Sequence, residues 1–365
     1  MRGMLVLEDG SHFEGISIGA EGERVGEVVL NTAVVGYQEI MTDPANAGKL
    51  LVLTYPLIGN YGIAKKFSDS RRSWIEGVVI REESRITSNW QAEAPLSDFL
   101  ARESMVCLSE VDTRTIAVAV RDSGEMLGIV SSGNAIPKEL LGRLKELKKK
   151  RENRYIREIS VPRITEQHRN PSGLKIGILD MGILNDFMEQ LKRLGASITL
   201  IPYNADAYEI ISLDLDGLIL SNGPEDDRAI PDIAETVKQL VGKMPLLGIS
   251  LGHEIIGLAL GGTRKRLKVG HHGVNYPVRT PDSYKGEITV QNHSWVLEEK
   301  SLNTKDDIVI TRYNVNDTTI EEMECRGRAI IGTQYYPVSP GFDEVHEVFI
   351  RFMEMIDKKA PDLRK

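Results

Sequence analysis

Residues 245–254 read Pro-Leu-Leu-Gly-Ile-Ser-Leu-Gly-His-Glu, which places one hydroxyl between two glycines at the end of an apolar run. The run predicts a strand, and Glu254, Ile255, Ile256 and Leu258 predict the helix that follows. Gly248 and Gly252 let the chain turn sharply and aim Ser250 into a cleft at the helix N-terminus, the geometry of a nucleophile elbow. A serine there would serve acyl transfer. Unlike a thiol of pKa ~8.5, its hydroxyl is negligibly ionised at neutral pH and needs a base to take its proton. Gly-x-Ser-x-Gly alone is short enough to arise by chance, so its surroundings must decide. His253 reads as a helix-turn residue with a structural hydrogen bond, and His271, His272 and His293 fall in loops. The adjacent His271-His272 pair lacks the i, i+4 spacing that converges ligands on one ion, so no metal site is expected.

The elements that must position Ser250 alternate. Strands are predicted at Lys175 to Asp180, Ser197 to Pro202, Gly217 to Leu220 and Leu246 to Ile249, with helices at Asn185 to Leu194 and Ile233 to Val241. Phe187, Leu191 and Leu194, at spacings of four and three, mark a helix buried on one face. This is an α/β pattern with an open, mostly parallel sheet and its site at the carboxyl ends of the strands. The first 130 residues differ: short β-type runs at Glu27 to Leu30, Leu50 to Tyr55 and Ile75 to Ile80 predict a β-rich domain with a few packed helices. Pro137 to Arg154 predicts a helix opened by proline, with Leu140, Leu144 and Leu147 on one stripe and a solvated basic face. Val161 to Gly173 is polar, holds two prolines and lacks periodicity, so the expected division is 1–160, a linker at 161–173, and a second domain at 174–365.

Composition narrows the field. A chain of 365 residues, 41% apolar and 27% charged, is long enough for two packed domains and excludes disordered or collagen-like classes. A net charge of −8 gives no basic footprint for nucleic acid or an acidic membrane. Only Cys107 and Cys325 are present, too few for a disulfide framework, which fits a reducing, cytoplasmic setting. No stretch approaches ~18 uninterrupted apolar residues, and no export segment is expected.

Gly-Ile-Ser-Leu-Gly-His-Glu resembles the elbow of class I (triad) glutamine amidotransferases, where the pattern is Gly-Ile-Cys-Leu-Gly-His-Gln. Leu220-Ser221-Asn222-Gly223-Pro224 is similar to their oxyanion loop. Gly270-His271-His272-Gly273-Val274-Asn275 and Gln291-Asn292-His293 resemble segments of the small, glutamine-hydrolysing subunit of carbamoyl phosphate synthetase. In the first half, Leu7-Glu8-Asp9-Gly10, Asn31-Thr32, the run from Gly36 to Pro44, the run from Thr54 to Asn60, and Asp112-Thr113-Arg114 resemble that subunit's own N-terminal domain. The resemblance spans nearly the whole chain. It implies a subunit that releases ammonia from glutamine through a Cys-His-Glu triad and passes it by tunnel to a large subunit. ATP and Mg are expected on that large subunit, with no cofactor in this chain, and the product would serve arginine or pyrimidine biosynthesis.

Against that pattern the chain departs where the chemistry is done. Ser250 stands at the nucleophile position, Tyr336 where the family has its His base, and Val338 where it has the orienting Glu. A phenol of pKa ~10 is a poor base at pH 7, and valine can stabilise no cation. Glu225 replaces the second oxyanion-loop glycine, which puts negative charge near a developing oxyanion and removes a residue free to adopt positive φ. Of the glutamine-contacting positions, Gly223, Leu251 and Asn292 are kept, while Ala45, Glu254, Ser294 and Trp295 are changed. The expectation is a catalytically degenerate small subunit, retained as a structural or activating partner in a hetero-oligomer with the large subunit. Two alternatives stand beside it: an amidase or hydrolase working through Ser250, and a repurposed module in which Glu225 and Glu254 hold a cationic small molecule.

Overall fold

The computed structural model describes residues 1–281, 283, 285–302 and 307–363. The chain divides into two compact units, Met1–Asn153 with Lys268–Gly273, and Arg154–Leu267 with Val274–Lys365.

In the first unit seven strands close a barrel: β1 (Arg2–Leu7), β2 (His12–Ser17), β3 (Glu23–Asn31), β4 (Lys49–Leu53), β5 (Gly77–Val79), β6 (Val106–Ser109) and β7 (Met126–Ser132), in the order β1-β2-β6-β5-β4-β3-β7. Period-two alternation sorts their side chains. Leu5, Leu7, Val28, Leu50, Val79, Leu108 and Val130 share one core, while Met4 and Val6 turn the other way, under the helix Pro137–Lys150. That helix buries Leu140 and Leu144, but Leu147, expected on the same stripe, is exposed (43%), as is every residue of the helix from Lys145 onward. The short helix α1 (Tyr37–Thr42) follows Gly36, whose φ of 89° suits glycine. Tyr37 donates its hydroxyl to the Gly62 carbonyl at 2.6 Å, and the buried Gln38 both donates to the Ala64 carbonyl (2.8 Å) and accepts from the Ala64 N–H (3.0 Å). Asp112 caps the helix Thr113–Ser123 by accepting from the Thr115 N–H.

The second unit is built on a ten-stranded sheet. Its strands are β8 (Thr165–His168), β9 (Lys175–Asp180), β10 (Ser197–Pro202), β11 (Gly217–Leu220), β12 (Leu246–Ile249), β13 (Arg264–Arg279), β14 (Gly286–Leu297), β15 (Ile308–Asn314), β16 (Ile320–Cys325) and β17 (Ile330–Thr333). They lie in the order β8-β10-β9-β11-β12-β17-β16-β15-β13-β14, and the central run β10-β9-β11-β12-β17 is parallel. Both faces of this centre are covered. Leu179, Leu218, Leu220 and Leu246 pack with helices α2 (Ile230–Leu240) and α3 (Leu251–Ala259), and Ile178, Ile219, Leu247 and Ile249 pack with α4 (Asn185–Arg193) and α5 (Glu347–Leu363). Strands buried on both faces read as continuous apolar runs, as these do.

The segment 161–173 is not a free linker: Thr165–His168 is the antiparallel edge strand paired with β10, and the Val161 N–H donates to the buried Asp180. The units part at Asn153 and Arg154 instead. The mostly parallel sheet expected of this half is present, and its parallel centre continues into β16, β15 and β13, which pair antiparallel.

Candidate functional site

The carboxyl ends of neighbouring parallel strands deliver the sequence-marked residues to one edge of the sheet. Asp180 ends β9, Ser221 and Asn222 follow β11, Ser250 follows β12, and Gln334, Tyr335 and Tyr336 follow β17. These turns are tied together: Ser221 accepts from the Met181 N–H at 2.8 Å, and the Ser250 N–H donates to the Thr333 carbonyl at 2.7 Å.

Ser250 has φ 51° and ψ −107°, a strained conformation for a residue with a Cβ. The positive φ falls on the serine and not on its glycine neighbours, which serve close packing. A Cβ at Gly252 would stand 2.1 Å from the Leu220 carbonyl oxygen, and one at Gly248 would stand 2.5 Å from that of Gly252. The elbow geometry is therefore present. Among the described residues no group hydrogen-bonds the buried Ser250 hydroxyl.

Tyr336, at the position where a base is expected, is buried. Its ring packs edge-on to Phe187 (5.8 Å, 86°) within the apolar core, and its N–H is tied to the Val290 carbonyl at 2.8 Å. Val338 packs against the same core, in a loop held to α4: Gln190 donates to the Pro337 carbonyl, and Asp186 accepts from the Ser339 N–H. His253 is wholly buried on α3, and burial drives its pKa down to about 4, so it is neutral at pH 7. The other histidines have structural partners: His272 Nε2 lies 3.1 Å from Glu125, and His293 bridges the Gln291 side chain and the Trp295 carbonyl. His271 is buried.

The changed pocket residues are themselves bonded. Glu225 lies outside the positive-φ region, and its carboxylate accepts the Ser294 N–H at 2.6 Å. Glu254, one turn along α3 and wholly buried, accepts from Arg264 at 2.8 Å and from Gln334 at 3.4 Å. The same guanidinium donates to the Glu225 carbonyl oxygen at 2.9 Å and stands 4.4 Å from the centre of the Trp295 ring. Glu254 is thus already paired with a cation from its own chain, which removes the motive for expecting a cationic ligand there. Arg264, at the start of β13, escaped the sequence reading. The signal was available, since a carboxylate at position 254 among Leu251, Ile255 and Ile256 obliges a buried partner. Of the kept positions, Gly223 comes so close to the Met181 carbonyl oxygen (2.5 Å to a built Cβ) that only glycine fits; Leu251 and Asn292 are buried. Ala45 is buried in the first unit, its N–H donated to Asp43.

Residues 5–130 match the family described as the carbamoyl-phosphate synthase small chain, CPSase domain, and residues 177–355 match glutamine amidotransferase class I. The chain is 37% identical over 361 residues to the carbamoyl phosphate synthase small chain of Clostridium acetobutylicum, covering 97% of this chain and all of that one. It belongs to the carbamoyl phosphate synthase small-chain family. Within that family it is also 38% identical to the small chain of Caldanaerobacter subterraneus subsp. tengcongensis, over 98% of this chain and 97% of that one. It is 35% identical to the pyrimidine-specific small chain of Bacillus subtilis, over 98% and 96% respectively. Membership accounts for the pairing of a β-barrel unit with an amidotransferase unit. Among the described residues of this small-chain relative, no helix is long and apolar enough to cross a membrane.

Proposed function

We propose that this chain is the small-chain partner of an ATP-dependent large chain making carbamoyl phosphate from bicarbonate and ammonia, and that it does not itself hydrolyse glutamine. The observation that carries the second half is the isolation of the Ser250 hydroxyl: buried on a strained backbone, with no side chain among the described residues in hydrogen-bond contact to accept its proton. Tyr336 and Val338 stand where the resemblance puts base and orienter; Tyr336 is buried in the apolar core and Val338 packs against it. A serine without a base, however well placed, gains nothing from its elbow. ATP and Mg belong to the large chain in this reading, and the role left to this chain is to dock on that partner and stabilise or activate it.

The test is carbamoyl phosphate formation by this chain with its organism's own large chain, ATP and bicarbonate, comparing ammonium with glutamine. Turnover with ammonium alone, at a rate raised by this chain, is expected. Glutamine-dependent turnover would sink the reading. A serine-hydrolase reading draws on the retained strain at Ser250; it requires amide or ester turnover by the isolated chain that disappears in Ser250→Ala.

A further inference from the structure

We infer that Arg264 is the resident occupant of the pocket beside Ser250, closing it to glutamine independently of the missing triad. This rests on the reading that the pocket descends from a glutamine site. Three of the five positions at which that pocket departs from its family's pattern converge on this one side chain: Glu254 through its carboxylate, Glu225 through its carbonyl, and Trp295 through its ring face. A fourth, Ser294, is drawn in by the Glu225 carboxylate.

The chemistry suits a permanent guest. Guanidinium is planar, always charged and weakly hydrated, so it can donate along its edge to Glu254 and Glu225 while its face covers an indole. Its side chain is 15% exposed and that of Glu254 is 0% exposed, so the pair is held largely away from water. An incoming α-amino-acid amide would have to displace a tethered group that carries no cost of association, and would leave a buried guanidinium without its carboxylate. Two separate obstacles to glutamine follow. Restoring Cys, His and Glu at 250, 336 and 338 would remove only one of them.

The test separates pocket from triad by placing a thiol at the elbow, Ser250→Cys, and measuring its alkylation at pH 9 by intact mass on the whole chain. The glutamine-shaped probe is the chloroketone 2-amino-4-oxo-5-chloropentanoic acid: the thiolate sulfur bonds its terminal carbon as chloride leaves. Iodoacetamide, which needs no glutamine pocket, is the reference. Adding Glu254→Gln with Arg264→Ala, so that no carboxylate is orphaned, is expected to raise the chloroketone rate relative to iodoacetamide on the order of tenfold. An unchanged ratio overturns the inference. If that variant does not fold, Arg264→Lys on the same Ser250→Cys background takes its place, because lysine keeps the charge but loses the fork and the ring stacking; the ratio must rise there, and an unchanged ratio is again fatal. Assaying ammonia release from glutamine by the unaltered chain tells the two readings apart. Release overturns both the proposed function and the closed pocket. A chain without release whose Ser250→Cys variant already takes the chloroketone as readily as the opened variant loses only the closed pocket.

Discussion

The backbone of Ser250 sits where a residue with a Cβ stores about 1–3 kcal/mol. Nothing in the described residues repays it through the hydroxyl. Ser250→Gly should therefore stabilise the second unit by about 1 kcal/mol in denaturant unfolding, after the ~0.5–1 kcal/mol that glycine costs through unfolded-state entropy. A loss of stability would mean that the hydroxyl is held by an interaction this reading lacks. Glu321 gives a second handle. Burial, helped by Asp317 and opposed by the hydrogen bond from Asn314, raises its pKa to about 8 from an ordinary value of 4.5. The folded chain then holds a proton that the unfolded chain releases between those values, so this group's contribution is fully present below pH 4.5 and is lost as pH rises towards 8. Glu321→Gln should flatten that decline in Tm against pH. His253 acts in the opposite direction: with its pKa lowered from 6.5 to about 4, its contribution is lost as pH falls through that window. In Glu321→Gln the acid-side fall should persist, and its disappearance would contradict the assignment.

At the scale of elements, the elbow is a property of the contact between α3 and β11. Gly252→Ala would drive a methyl to 2.1 Å from a backbone oxygen of the adjoining strand, which neither element can yield without disturbing the sheet. The expected cost is about 3 kcal/mol or more, whereas Gly142→Ala, inside a helix of the first unit where an added Cβ meets nothing within 4 Å, should stabilise by about 0.5–1 kcal/mol. Thermal melts of the two variants check this. The same scale explains what was legible in the residues. Strands β9, β11 and β12 are legible because burial on both faces makes them apolar runs between turn residues, and β10 because Ile198, Leu200 and Ile201 stand out between partly buried polar positions. Edge strand β8, Thr-Glu-Gln-His, carries no apolar signal, and its pairing with β10 is visible only in space. Strand β13 begins Arg-Lys-Arg and mixes buried with exposed residues irregularly, so no period betrays it. The site was legible where one residue type does one job, as at Ser250 and Gly223. Arg264 was hidden because its importance comes from partners 10 and 39 residues away in the chain.

Across the whole molecule, the motifs of the first unit that resemble a docking domain also have work inside it. Gln38 is fully buried and clasps both backbone groups of Ala64 as well as the Ser68 hydroxyl. Gln38→Ala should cost about 2–4 kcal/mol, since it leaves a buried N–H and carbonyl unsatisfied. The first unit's melting transition would report the loss, and with it the yield of any complex with the large chain should fall. Survival of that complex at wild-type yield, despite the lower melt, would show that the motif's part in docking is separate from its part in the barrel. The run Gly36-Tyr37-Gln38-Glu39 is thus what a barrel needing its own internal clasp would display, whether or not the same residues meet a partner.

The close approach of Gly252 to the Leu220 carbonyl decides which parts of such a site can change and which cannot. Side chains around the turn can be exchanged one by one, and here Arg264 bonds Glu254 and Glu225 while Glu225 holds the Ser294 N–H. The turn cannot be exchanged that way, because it is wedged against the next strand and any reshaping would undo the sheet. Descendants that abandon the reaction therefore inherit its bend as an heirloom of the main chain. A designer wanting a hydrolase from this protein would find the hard part, a bent and rigid perch for a nucleophile, already built.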